Sequence, residues 1–236
     1  HDQRIGLPVG EYLALLSHSG SRRAGNEVAS YYSKLARKLH GELPKELGQL
    51  AWLDADSPEG REYWAAMQLM GRYAAANHEL IHRYIRENLG VEVLLDIENH
   101  HNFAWREVHN GREVIVHRKG ATPANLGDIG IIPGSMATPG FVVRGLGEPT
   151  SLHSASHGAG RVMSRKQAKK TFHWPDAQRL LDERGVTLIS GGLDEVPMVY
   201  KDIHEVMAAQ RDLVEPLARF DPKLVKMAPG HERPED

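Results

Sequence analysis

The sequence predicts a protein of mixed helix and strand, and three observations carry that prediction. Two segments in the first ninety residues repeat apolar side chains at helical spacing. Asn110-Gly111 lies between two alternating segments, a strong hairpin signal. From Gly120 to Gly160 the chain is rich in Gly, Pro and Ser and holds short apolar runs, the composition of loops carried by a rigid sheet.

Taken in order, residues 5–16 (IGLPVGEYLALL) read as a turn followed by a buried strand. Residues 26–40 put Val28, Tyr31, Tyr32, Leu35 and Leu39 on one helical face, with Gly41 as a stop. Residues 43–56 read as a loop with a short helical turn. Ser57-Pro58-Glu59 combines a capping serine with a first-turn proline, opening a helix that runs to Asn88 with Gly90 ending it. Tyr63, Trp64, Met67, Met70 and Tyr73 read as the core face of that helix rather than as a ligand box. VEVLLDI (91–97) is expected as a continuous apolar strand. Beyond the hairpin, GIIPG and FVVRGL are short strands. Helices are expected at 163–172, 175–184 and 201–219, a last strand at 223–227, and a solvated tail, HERPED. No internal repeat and no low-complexity linker breaks the 236 residues, so one domain is expected.

Composition narrows the function. Hydrophobic residues make up 41% of the chain, enough for a sizeable core. The formal net charge of -2 gives no overall attraction to nucleic acid, which would have to come from a local basic patch. The absence of cysteine excludes disulfide and thiolate chemistry within the chain and suits a reducing compartment. No apolar run approaches a membrane span and no basic-then-apolar leader opens the chain, so a soluble, cytoplasmic protein is expected. Fourteen histidines are a high count for the commonest metal-ligating side chain.

Five constellations could carry chemistry. His18, in SHSGSR, follows an apolar run among small residues and reads either as a metal ligand or as a histidine bonding its own loop. In NHHN (99–102) the two adjacent histidines point to opposite faces of extended chain, so at most one serves a given site. HRKGATPA (117–124) offers Arg118 and Lys119 to an anion, or merely a charged strand end. IPGSMATPG (132–140) supplies amides and hydroxyls from Gly134, Ser135 and Thr138 to a phosphate or sugar, or a plain turn. SASHGAGRVMSR (154–165) is the richest. Gly158 and Gly160 let backbone approach a ligand. Arg161 has the planar fork that pairs with phosphate oxygens. Ser164 opens a helix bearing Arg165, Lys166, Lys169 and Lys170, whose start offers free amides. His157 beside such a site reads as a base, a ligand or a nucleophile on phosphorus.

HSGSR, NHHN, RKGA, IIPGSM, VRGLG, SHGAGRVMSR, YKDI followed by MAAQ, and the late lysine of LVKM together resemble the RtcB family. These are GTP-dependent RNA ligases that join a 3′-phosphate or 2′,3′-cyclic phosphate end to a 5′-hydroxyl end. The pieces stand in the family's order across nearly the whole chain. The resemblance implies an α+β fold: one RtcB-like domain over 1–236 with central sheets, outer helices and a loop-lined metal and nucleotide cleft. It implies that His157 attacks the α-phosphorus of GTP and becomes guanylylated, that GMP passes to the RNA 3′-phosphate, and that the 5′-hydroxyl displaces it. It implies two manganese ions, with His18 and His101 among their ligands and His100 turned outward. It implies nucleotide contacts at Ser135, Gly160, Tyr200 and Lys226, with Tyr200 against the base and Lys226 reading guanine. Arg161 and Lys119 are further phosphate or RNA candidates. The partners implied are tRNA halves or cleaved RNA, with archease as an activator and no membrane.

The sequence departs from the family at three places. Ala137 stands where a glycine usually follows GSM, Gly140 where a serine usually stands, and MAPGHERPED follows Lys226 where the family's chain normally ends just beyond the lysine. The family's remaining metal ligands, an aspartate and a cysteine in one motif and a histidine in GNHF, are not in this sequence. The expectation is therefore the C-terminal portion of such a ligase, its N-terminal half lacking. Two other readings stand beside it: a homologue that binds RNA or GTP without ligating, and a metal-dependent phosphoesterase.

Overall fold

A computed structural model describes residues 5–230. The expectation for HERPED lies outside the described residues. The chain divides into two compact units, one of residues 13–93 and one of 5–12 with 94–230.

The first unit is helical. Helix α1 (Arg22–Leu39) and helix α2 (Pro58–Leu89) flank a short 3-10 turn (Lys45–Leu50), close to the expected bounds. Ser57 caps α2 by accepting a hydrogen bond from the Gly60 amide at 2.9 Å, and Gly90 ends it in the left-handed conformation at φ 64°. Gly60 is required there, because a Cβ would stand 1.8 Å from the Asp54 carbonyl oxygen. Tyr32 and Ala36 are buried, and the Tyr32 ring lies 5.0 Å from that of Tyr63.

Three expectations in this stretch need correction. Residues 11–16 and 91–97 form no strand. Each is an apolar run with no neighbouring strand among the described residues to complete a ladder, and Leu13 is 85% exposed. The aromatic and methionine face of α2 is not closed either: Tyr63, Trp64, Met67 and Met70 are half-buried and Tyr73 is exposed.

The second unit carries the sheets. Strands β1 (Asn102–His109) and β2 (Arg112–Lys119) form the expected hairpin, with Asn110 and Gly111 both at positive φ, the mirror-image turn that matches strand twist. Strand β3 (Ala121–Pro123) pairs antiparallel with β6 (Ser154–Ser156). Strands β4 (Ile129–Ile132), β5 (Gly140–Gly145) and β8 (Val214–Phe220) form an antiparallel sheet with β5 in the middle. Strand β7 (Thr187–Ser190) pairs parallel with β9 (Leu224–Lys226). Helices α3 (Arg165–Thr171), α4 (Trp174–Glu183) and α5 (Ile203–Ala208) lie among them in sequence.

The expected helix 201–219 is thus a correction: it stops at Ala208, and Val214–Phe220 is a strand. Pro216 explains it. Proline breaks a helix interior but is tolerated on an edge strand, and among the described residues β8 pairs only with β5.

Among the described residues the core of this unit is three apolar clusters. One gathers Ala124, Ile132, Val143, Ala155, Ala159, Ile203 and Val214. The second is built on Met136, Ala137, Leu181 and Val186, the third on Ala168, Ala177, Val196 and Val199. Three of the loops send anchors into these clusters: Ala155 and Ala159 flank His157, Met136 follows Ser135, and Val199 precedes Tyr200. Burial of these small anchors is what fixes the polar loops between them.

Ser57→Ala removes the cap of α2. It is expected to lower stability by about 1 kcal/mol, read as a lower urea midpoint at unchanged slope.

Candidate active site

His157 leaves the end of β6 with its ring beside that of His101, centroids 5.0 Å apart and planes 28° off parallel. His101 leads into β1. Its carbonyl accepts from the Gly120 amide at 2.9 Å, so the entry to β1 and the exit of β2 are tied together. Gly120 is at φ 72°, and a Cβ there would stand 3.5 Å from His157 Cε1. His100 turns elsewhere, with Nε2 3.5 Å from a Glu98 carboxylate oxygen and its ring 5.9 Å from Phe103. Asn99 anchors the approach to the pair, donating to Thr122 Oγ1 at 3.1 Å and to the Ile131 carbonyl at 3.2 Å.

The backbone around His157 is held on both sides. The Ser156 amide donates to Gln210 Oε1 at 2.9 Å, and the Ser156 hydroxyl donates to the Gly158 carbonyl at 2.7 Å. The Ala159 amide donates to the Pro133 carbonyl at 3.0 Å. That oxygen is so near that a Cβ on Gly158 would lie 3.1 Å from it, which brings the HGAGR and PGSM loops into direct backbone contact. The Lys201 amide donates to the Gly160 carbonyl at 3.0 Å, joining YKDI to the same loop. Gly160 sits at φ 73° with nothing within 4 Å of its Cβ position, an open approach to backbone.

Arg161 lies with its guanidinium carbon 5.5 Å from the centre of the Tyr200 ring. The Tyr200 hydroxyl donates to Glu195. Burial first, then Glu195, pushes the Tyr200 phenol well above its ordinary pKa, so it stays protonated. Glu195 also pairs with Arg165 and stands 3.6 Å from Arg161 Nη1. Asp194, 4% exposed, meets Arg165 at 3.3 Å and Lys169 at 3.4 Å. Burial works to raise the Asp194 carboxyl. Its backbone hydrogen bond, with Arg165 and Lys169, outweighs that and holds it below the usual carboxylate range.

Two sequence expectations change here. At the start of α3 one first-turn amide, that of Gln167, is taken by Ser164 Oγ, and two of the helix's basic side chains already face Asp194 and Glu195. Arg118 is not available to an anion. It is 3% exposed, donates to both Glu107 oxygens at 2.5 and 3.0 Å, to Ser154 Oγ and to the Leu152 carbonyl, and lies over Trp105. His109 bonds the same carboxylate at 2.8 Å. Burial alone would raise the Glu107 carboxyl, and the Arg118 and His109 bonds win and lower it. Lys119, one residue on, is exposed.

The other expected site residues are distributed as follows. Ser135 bonds Thr138, hydroxyl to hydroxyl at 2.8 Å, in a tight turn where a Cβ on Gly134 would stand 2.3 Å from the Pro139 carbonyl oxygen. Ala137 is buried against Leu181 and Val186, and a Cβ on Gly140 would stand 3.2 Å from Pro133 Cα, so both departures fit close packing. Lys226 is exposed on β9, opposite Ser190 of β7. His18 belongs to the helical unit. Its loop is held by α2: Asn77 donates to Ser19 Oγ at 2.7 Å, His78 Nε2 lies 2.8 Å from the Ser19 carbonyl, and His82 Nε2 lies 2.8 Å from Ser17 Oγ. Sequence reading did not single out Gln210, Glu195 or Asn99 as individual residues. Gln210 stood inside the quoted MAAQ piece, and the other two lie beside quoted motifs or within them without any local signal of their role.

Three buried polar atoms of the His157 neighbourhood have no hydrogen-bond partner among the described residues: His157 Nδ1 and both terminal nitrogens of Arg161. The 3.6 Å contact to Glu195 gives Arg161 a nearby charge without a directed bond. Unmatched buried polar atoms are costly, and phosphate oxygens are well suited to a guanidinium fork. These residues therefore fit a phosphate group. They do not complete a metal site, since no group of three or more His, Asp or Glu that could hold an ion occurs among the described residues. No helix among them is long and apolar enough to cross a membrane.

The second unit is thus an α+β arrangement of small sheets whose loops gather histidine, arginine and glycine around unmatched buried nitrogens. The sequence model of the family described as tRNA-splicing ligase RtcB matches residues 2–227, and the chain belongs to that family. It is 40% identical to an RNA-splicing ligase RtcB of Escherichia coli over 91% of this chain and 56% of that protein. It is 33% identical to a tRNA-splicing ligase RtcB of Nanoarchaeum equitans over 95% of this chain and 55% of that protein. An RNA-splicing ligase RtcB of Mycobacterium tuberculosis is also 33% identical, over 92% and 57%. The chain thus spans about half the length of the curated relatives it matches.

Glu107→Ala strips the buried Arg118 of its carboxylate and is expected to cost about 3–5 kcal/mol. In the unsubstituted protein the lowered Glu107 pKa contributes stability that is complete above the unfolded value of about 4.3. That contribution is lost as pH falls through the lower folded value. Urea titrations of both proteins from pH 7 down to pH 3, converging at the acid end, check both statements.

Proposed function

We propose that this chain carries the nucleotide-transfer centre of a GTP- and manganese-dependent RNA ligase. The ligase joins 3′-phosphate or 2′,3′-cyclic phosphate ends to 5′-hydroxyl ends, in tRNA splicing or RNA repair. The observation that supports it most is the His157 group itself: a histidine with a buried, unmatched ring nitrogen, beside a second histidine, next to an arginine whose two terminal nitrogens are buried and unmatched. Family membership supports the same reading.

In this reading a nitrogen of neutral His157 attacks the α-phosphorus of GTP. An N–P bond forms, the bond to the bridging oxygen breaks, and pyrophosphate leaves. A 2′,3′-cyclic end is first opened by water to a 3′-phosphate; a 3′-phosphate oxygen then attacks the same phosphorus, the N–P bond breaks and His157 is released. The 5′-hydroxyl oxygen attacks the activated 3′-phosphate and GMP departs. Arg161 faces the phosphate charge, and the open backbone at Gly160 gives the phosphates close approach. Tyr200 and Lys226 serve the guanosine, and Ser135 its sugar or phosphates. His18 and His101 contribute imidazole donors toward the two manganese ions expected of the family. The described residues do not complete that site, and no step above is routed through the metal.

The test is intact mass after incubation of the intact protein with GTP and Mn2+. A GMP-sized increase is expected, and it is expected to vanish in His157→Ala. Folded, metal-supplied protein that takes up no GMP would contradict the proposal.

A further inference from the structure

We propose that Gln210 is a positioning residue for His157, acting through the Ser156 backbone. The inference rests on the reading of His157 as the nucleophile. Ser156 is the last residue of β6, a three-residue strand that among the described residues pairs only with β3. So short a strand cannot by itself fix the direction in which the chain leaves it. Gln210 supplies what is missing: its Oε1 accepts from the Ser156 amide at 2.9 Å, one residue before His157.

Gln210 is suited to the task because it cannot move freely. It is 5% exposed. Its amide donates to the Met207 carbonyl at 3.3 Å, and its own carbonyl accepts from Leu213 at 3.0 Å and Val214 at 3.1 Å, at the corner between α5 and β8. Its side-chain nitrogen is 3.6 Å from Met207 Sδ. The corner is in turn bolted into the apolar cluster by Ile203 and Val214, the same cluster that takes Ala155 and Ala159 from either side of His157. The His157 ring has little to orient it through its own nitrogens, since Nδ1 is unmatched among the described residues. Its direction therefore rests on the stack with His101 and on backbone ties, and among the described residues the tie at the adjoining Ser156 amide is made by the Gln210 side chain. A misplacement of about 1 Å in a reacting group costs on the order of 10²-fold in rate.

The test is single-turnover loading of GMP onto the intact protein, followed by mass with GTP varied and Mn2+ present. Gln210→Met keeps the bulk and removes the acceptor. Gln210→Glu keeps an acceptor whether its carboxyl is ionised or protonated. Gln210→Met is expected to load about 10- to 100-fold more slowly at saturating GTP, with the half-saturating GTP concentration unchanged. Gln210→Glu is expected to load within a few-fold of the unsubstituted rate. A normal rate in Gln210→Met, or an equal loss in both variants, overturns the proposal in favour of a packing role. Should Gln210→Met fail to fold, Gln210→Glu decides: loading near the unsubstituted rate sustains the proposal, and lost loading in a folded protein overturns it. If the unsubstituted protein never carries GMP, or His157→Ala still does, the reading of His157 fails and the proposal falls with it.

Discussion

The hydrogen bond from the Ala159 amide to the Pro133 carbonyl is the joint on which the rest of the site depends. It locks two loops that lie 26 residues apart, PGSM and HGAGR, backbone against backbone. Gly158 permits the approach, since a Cβ would stand 3.1 Å from the accepting oxygen. Ala159 is itself buried in the main apolar cluster, so the polar bond and the hydrophobic contact reinforce each other. A donor and acceptor paired in this way out of water are costly to separate, and the loops are rigid for that reason.

Charge in the unit is organised around that joint in two ways. The Arg118, Glu107 and His109 network is closed, with the guanidinium matched on every side by carboxylate, hydroxyl and carbonyl oxygens. It braces the β1–β2 hairpin against the segment leading into β6, and hence against His157. Asp194 and Glu195 hold Arg165, Lys169 and Tyr200. Arg161 differs from its neighbours, because its terminal nitrogens are buried without directed partners. Two arginines in one unit thus differ: Arg118 is part of the frame, and Arg161 lies by Tyr200 and Glu195 with its terminal nitrogens unmatched among the described residues.

Local features of the fold could be read from the chain. The Ser57 cap, the Gly90 stop and the Asn110-Gly111 turn all depend on residues within a few positions of each other. Features that depend on distant partners could not. EYLALL and VEVLLDI look like strands, but a strand needs a neighbour, and neither finds one among the described residues. Pro216 was a legible signal against the long helix 201–219 that apolar spacing suggested. At the site, the motifs and their order were visible, as was the likelihood that only one of His100 and His101 would share a face with a partner. The burial of Arg118 was not, because it follows from Glu107, eleven residues away across the hairpin, and from Ser154 on another strand. The Gln210 bond to Ser156 spans 54 residues and leaves no trace in local sequence.

The central claim is that His157 is presented by a rigid loop fixed through backbone bonds to the sheet core. Amide hydrogen exchange resolved residue by residue in the intact protein tests it most directly. The Ser156, Ala159 and Lys201 amides are predicted to exchange as slowly as the buried amides of β5, opening only with the unit as a whole. Exchange of those three at the rate of exposed loop amides would contradict the account.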